Sequence, residues 1–123
     1  MKRVEILKTY KIYSGGNFPR TESGRYYLAL DKKGNPIANM CMGSRKDVRN
    51  AVVSARKALG AWSGKTAFNR SQILYRIAEV LEGRKSQFIE ELILQGSQKN
   101  IAIKEVEDSI DRIVYYAGWC DKF

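Results

Sequence analysis

The chain has 123 residues, 44% of them hydrophobic, with 22 Lys and Arg against 13 Asp and Glu. That length predicts a single domain able to bury roughly two thirds of its unfolded surface if it packs alone. No histidine is present, which excludes a His-based triad, a His-Glu-x-x-His zinc helix and a histidine general base, and two cysteines are too few for a disulfide framework.

The charge of +9 is unevenly placed: residues 1–65 carry 14 Lys and Arg against 4 Asp and Glu, a net of +10, while residues 66–123 carry 8 against 9. Residues 1–7 mix Lys2, Arg3 and Glu5 with single apolar residues, unlike a secretion signal, and no apolar run reaches the ~18 residues needed to span a bilayer. A cytoplasmic setting with free thiols is expected. Tyr10, Tyr13, Phe18, Tyr26 and Tyr27 interleave with Lys8, Lys11, Arg20 and Arg25, the composition of a base-stacking platform but equally of a strand with one solvated face. Nucleic-acid binding is expected to be weak and nonspecific.

The organisation changes at Gly43, giving a β-hairpin or meander region over residues 1–43 and a helical region over 44–123. Lys8 to Tyr13 alternates and is rich in strand formers, and Ser14-Gly15-Gly16-Asn17 supplies turn chemistry. Arg25 to Leu30 and Pro36 to Met42 read as two further strands joined by Asp31-Lys-Lys-Gly34-Asn35, with Gly34 in a left-handed turn conformation and Pro36 at the start of its strand.

Ser44 with Asp47 three residues on predicts a capped helix start, and Val48, Ala51, Val52, Ala55 and Leu59 then form a core stripe that Gly60 should end. Thr66 is expected to cap a second helix with Ile73, Leu74, Ile77, Ala78 and Leu81 inward and a break at Gly83. A third helix buries Phe88, Ile89, Leu92 and Ile93 and ends near Gly96. A fourth starts near Ile101 with Val106, Ile110, Ile113, Val114 and Ala117 inward. The fold class is therefore α+β: short antiparallel strands followed by about four amphipathic helices.

Candidate chemistry is sparse. Gly60-Ala-Trp-Ser-Gly64-Lys65-Thr66 is one residue short of a phosphate-binding loop and follows a helix rather than a strand, so a connector with Thr66 as cap is expected. Cys41 lies between methionines and Cys120 at a helix C-terminus, where the negative dipole end opposes a thiolate. The carboxylate pairs Glu79 with Glu82 and Glu90 with Glu91 read as solvated helix faces. Asn69-Arg70-Ser71 is a glycosylation sequon with nothing directing it to a secretory compartment. No catalytic, cofactor-binding or metal-binding residue is assigned.

Ala61-Trp62 after the first helix, Arg70 opening the second and Tyr116-Ala117-Gly118-Trp119 closing the last resemble the start of an aldehyde dehydrogenase, a resemblance that runs from Tyr10 onward. Leu94-Gln95-Gly96-Ser97-Gln98-Lys99 departs from that family's Glu-Thr-Gly-Lys while keeping the glycine. For a full-length relative the resemblance implies NAD(P)-dependent oxidation of an aldehyde to a carboxylic acid. The family's oxyanion-hole Asn, cofactor Lys, Gly-rich turn, Glu base and Gly-Gln-x-Cys nucleophile have no counterpart here. The chain accordingly looks like a non-catalytic N-terminal part of the nucleotide-binding domain without its parallel sheet, inactive and cofactor-free on its own. Its helices must then fold on one another or meet a partner: the downstream dehydrogenase portion, a complete subunit on which it docks as an interaction module, or itself. Leaving ~500 Å² of apolar face in water would forgo ~12 kcal/mol, more than a small domain's usual margin.

Overall fold

In the computed structural model, which describes residues 3–122, three short strands precede four helices. They are β1 (Thr9–Tyr10), β2 (Tyr26–Leu30), β3 (Pro36–Cys41), α1 (Arg45–Ser63), α2 (Ala67–Gly83), α3 (Lys85–Leu94) and α4 (Lys99–Ala117). The chain divides into two compact units, Met1–Gly60 and Ala61–Phe123.

The first unit holds a sheet of order β1-β3-β2. β2 and β3 form the expected antiparallel hairpin, from Tyr26 opposite Cys41 to Leu30 opposite Pro36, with an irregularity between Ala29 and Leu30. Its turn is closed by Asp31, whose carboxylate accepts from the backbone of Lys33 at 2.8 Å and of Asn35 at 2.9 Å. Gly34 sits there at φ 82°, a conformation that would cost a residue with a Cβ about 1–2 kcal/mol. β1 corrects the wholly antiparallel expectation, because it pairs parallel with β3, Thr9 opposite Asn39 and Tyr10 opposite Met40. The hairpin leaves β3 only one free edge, and the twenty-five residues from 11 to 35, β2 among them, are long enough for the crossover that parallel pairing requires. The rest of the Lys8 to Tyr13 run leads into the Ser14–Asn17 turn, a single bridge with Gly15 and Gly16 at φ 61° and 78°.

Ser44 and Asp47 cap α1 reciprocally: the Ser44 amide donates to the Asp47 carboxylate at 2.8 Å and the Asp47 amide to the Ser44 hydroxyl at 3.3 Å. Two expectations fail along this helix. Gly60 does not end it, since α1 continues to Ser63; one interior glycine costs about 1 kcal/mol, which Leu59, Ala61 and Trp62 around it outweigh. The apolar stripe is not core either, and no residue of α1 is buried, Val48 and Leu59 being 64% and 62% exposed.

The second unit packs α2 and α3 against α4. Its buried residues are small: Ala78 on α2 and Ala102, Val106 and Ala117 on α4. Small side chains let helix backbones approach closely, and the Ser71 hydroxyl of α2 donates to the Ala117 carbonyl at 2.9 Å. Thr66 caps α2 as expected, accepting from the Asn69 amide at 3.1 Å, and Gly83 closes it. α3 ends before Gly96, which takes φ 107° while Ser97 donates back to Leu92. α4 starts at Lys99, two residues before the expected Ile101. Phe88, Ile93, Ile77 and Val114, expected inward, are exposed, whereas Ile73, Leu74, Leu81, Ile89, Leu92, Ile110 and Ile113 are half-buried.

Candidate functional site

The residues that could carry chemistry are scattered, and several serve local structure. Trp62 and Ser63 belong to α1, so Gly60 to Thr66 forms no strand-to-helix phosphate loop, and the Thr66 hydroxyl serves its cap. Arg70 explains its place at the start of α2 by bridging the connector, its guanidinium donating to the carbonyls of Ser63 at 3.3 Å and Lys65 at 2.6 Å. Glu79 pairs with Arg76 at 2.8 Å on an exposed face, and Glu82 and Glu90 are exposed. Cys41 and Cys120 are free and half-buried, the Cys120 thiol facing the Tyr116 carbonyl at 3.6 Å. Ser71 of the sequon is spent on Ala117. Among the described residues no three His, Cys, Asp or Glu side chains gather to hold a metal, and no helix is long and apolar enough to cross a membrane.

A nicotinamide dinucleotide needs free amides at a glycine-rich turn between a strand and a helix, where its pyrophosphate can lie. Among the described residues the strand-to-helix passage is Met42-Gly43-Ser44, and Asp47 already fills it. That carboxylate accepts from the Thr21 hydroxyl at 2.5 Å, the Ser44 amide and the Glu22 amide at 3.1 Å. These bonds, the one from Thr21 foremost, hold the Asp47 pKa below its ordinary value, so an anion arriving there would meet a fixed negative charge. The described residues do not fit the dinucleotide. Thr21, buried at 5% exposure, escaped the sequence reading because a lone threonine in a loop has no periodicity to mark it.

What the structure does gather is apolar surface. In the second unit Ile77, Val80, Leu81, Arg84 and Phe88, with Arg76, line an open groove of about 450 Å³. At the end of α4, Tyr115 stacks edge-on with Tyr116 at 5.3 Å and lies 5.9 Å from Trp119. In the first unit the lysine-flanked aromatics are partly paired, Tyr13 with Phe18 at 5.2 Å and the Lys8 ammonium 4.4 Å above the Tyr10 ring. The chain exposes 10144 Å² in all. Two separate compact bodies, each of half its 14.0 kDa, would together expose only about 8,100 Å².

The family model described as the aldehyde dehydrogenase family matches residues 20–123. Cytosolic 10-formyltetrahydrofolate dehydrogenase of Mus musculus is 30% identical over 127 residues, which is 99% of this chain and 14% of that protein. D-glyceraldehyde dehydrogenase (NADP(+)) of Thermoplasma acidophilum is 32% identical over 119 residues, 91% of this chain and 23% of its own length. This chain therefore spans between one seventh and one quarter of these relatives. Among solved structures, a NAD-dependent benzaldehyde dehydrogenase from Corynebacterium glutamicum matches with a TM-score of 0.87 at 29% identity, over 92% of this chain and 25% of its own. A 3,6-anhydro-L-galactose dehydrogenase in complex with NAP reaches 0.89 at 22% identity, over 94% of this chain and 24% of its own, a likeness of fold. With the family model covering most of its length and strands, helices and connector arginine in place, the chain belongs to the aldehyde dehydrogenase family.

Proposed function

We propose that this chain is the N-terminal portion of an aldehyde-dehydrogenase-like oxidoreductase of the cytoplasm, whose full reaction is the NAD(P)-dependent oxidation of an aldehyde to a carboxylic acid. By itself it turns over no substrate. Its role is to supply helical surface that a protein partner covers, the partner being the polypeptide that carries the dehydrogenase's remaining parts. The observation that carries this reading is the exposed apolar surface, above all Val48, Val52 and Leu59 on α1 and Ile77, Val80 and Phe88 on α2 and α3. Burying even ~500 Å² of it would contribute on the order of 12 kcal/mol before association costs are met. The filled α1 N-terminus and the dispersed carboxylates and thiols support the absence of turnover by the isolated chain.

Two measurements test this. The purified chain with NAD or NADP and a panel of aldehydes should reduce no nicotinamide above a buffer blank, before and after alkylation of Cys41 and Cys120; turnover that alkylation removes would refute the inactive reading. Thermal melts and light scattering with the downstream dehydrogenase portion supplied as a second chain should show a complex and a higher melting temperature, the gain being about 2.7 kcal/mol when the partner is at 100 times its Kd. A cooperatively melting monomer that binds no hydrophobic dye and ignores that portion would eliminate the covered-surface role.

A further inference from the structure

β2 lies at the edge of its sheet, with β3 on one side and no described strand on the other. The Met42 amide donates to the Arg25 carbonyl at 3.0 Å, which sets the phase of the antiparallel ladder. By alternation Tyr27 and Ala29 bond inward to β3, while the amides and carbonyls of Tyr26, Leu28 and Leu30 point to the open side. Protected edges carry a lysine, a proline or a bulge along their length. Here Tyr-Tyr-Leu-Ala-Leu has neither charge nor proline, and its irregularity lies only at the last residue. Tyr26, Leu28 and Leu30 are 62%, 47% and 52% exposed, so their side chains stand ready beside the free backbone groups.

Charge selects the occupant. Arg25 immediately precedes the strand, and Lys32 and Lys33 follow its end, all exposed. Two acids lie nearby and keep their charge, Asp31, which accepts from Asn35 and Lys33, and Glu22, which accepts from the Ser44 hydroxyl at 3.1 Å, and the three cations exceed them by one. Residues 1–60 carry 13 Lys and Arg against 4 Asp and Glu, so a second copy laid on this edge would bring like charges together. A strand with acidic ends would instead meet a cation at each end. We propose that the open edge of β2 takes up an extended peptide segment, apolar in the middle and acidic at both ends, as a fourth strand of the sheet.

This inference concerns a different face from the helical surfaces and is read by peptide binding rather than turnover, so it stands or falls apart from the aldehyde chemistry. The probe is a labelled Glu-Thr-Val-Thr-Val-Thr-Glu peptide titrated into the full chain at low salt. Its Lys-ended counterpart should bind at least about tenfold more weakly, as should a version N-methylated at alternate residues, which keeps the charge but cannot form the ladder. Amide exchange at Tyr26, Leu28 and Leu30 should slow on binding. The Arg25→Gln, Lys32→Gln, Lys33→Gln variant, whose changes are all at exposed positions, should lose most of the preference for acidic ends. Absence of binding, equal binding of acidic and basic peptides, or undiminished binding of the N-methylated peptide would each overturn the proposal. So would self-association of the free chain that Leu28→Pro abolishes, since a second copy would then own the edge.

Discussion

In the first unit one carboxylate organises the fold, Asp47 gathering Thr21, Glu22 and Ser44 around the start of α1, and the buried apolar core is Ala38. In the second unit the same task falls to close helix contact, with Ala78, Ala102, Val106 and Ala117 sealed between α2, α3 and α4. The contrast follows composition. A basic segment rich in turn residues cannot gather enough apolar surface and relies on directed hydrogen bonds, whereas a charge-balanced helical segment spaces small residues for packing. Among the described residues neither unit fully encloses a large side chain, and so both depend on groups that are easily disturbed.

The comparison is broken most sharply at Ala102, which is 0% exposed. Ala102→Leu should destabilise the second unit by about 2 kcal/mol through overpacking and leave the first unchanged. Trp119 follows α4 in the second unit whereas Trp62 lies on α1, so the fluorescence of Trp119 in a Trp62→Phe background during urea unfolding isolates that effect. Thr21→Val is the counterpart in the first unit, removing the hydroxyl bonded to Asp47 at a cost of about 1 kcal/mol, visible by amide exchange in the first turns of α1 and silent in the fluorescence of Trp119. Gly60→Ala should act in the opposite direction, stabilising α1 by roughly 0.5–1 kcal/mol, because an added Cβ there meets nothing within 4 Å.

Acid and base should separate the units further. The pKa of Asp47 is lowered by its bonds from Thr21 and Ser44, so its contribution is present above the unfolded value of ~3.9 and is lost as pH falls through the lower folded value. Lys85 is raised, first by its hydrogen bond to Glu107 at 2.6 Å; its contribution is complete below ~10.4 and is lost as pH rises through the higher folded value. Melts across both ranges, with Asp47→Asn and Lys85→Gln as references, should show the acid effect in the first unit and a smaller alkaline effect in the second. The ion pair is partly solvent-exposed, which makes this the smallest of the expected changes.

Local signals were the legible ones. The Gly34 turn, Pro36, the Ser44 and Asp47 cap, the Thr66 cap and the break at Gly83 depend on neighbours a few residues away, and each stands where the sequence places it. Nonlocal choices were hidden. Nothing in Thr9 and Tyr10 says that they join β3 in parallel, since strand direction is decided by which edge remains free. The stripe on α1 reads as core because periodicity reports that a helix has an apolar face, not what covers it. Gly60 misled because a helix-breaking preference of ~1 kcal/mol is outvoted by good helix formers around it. The hub at Asp47 showed only half of itself, the capping half.

The parallel seat of β1 also sets an order of assembly. Closing the Asp31–Asn35 turn spans four residues, whereas bringing Thr9 to Asn39 spans thirty, a loop-entropy difference of about 1.8 kcal/mol. The β2–β3 hairpin can form within microseconds from local contacts, and β1 must wait for it, because the edge it occupies does not exist beforehand. With two paired residues against five in the hairpin, β1 is the last strand to arrive and the first to leave. The sheet thus grows outward from a hairpin nucleus, and its N-terminal strand behaves as a late, reversible addition to a body already formed.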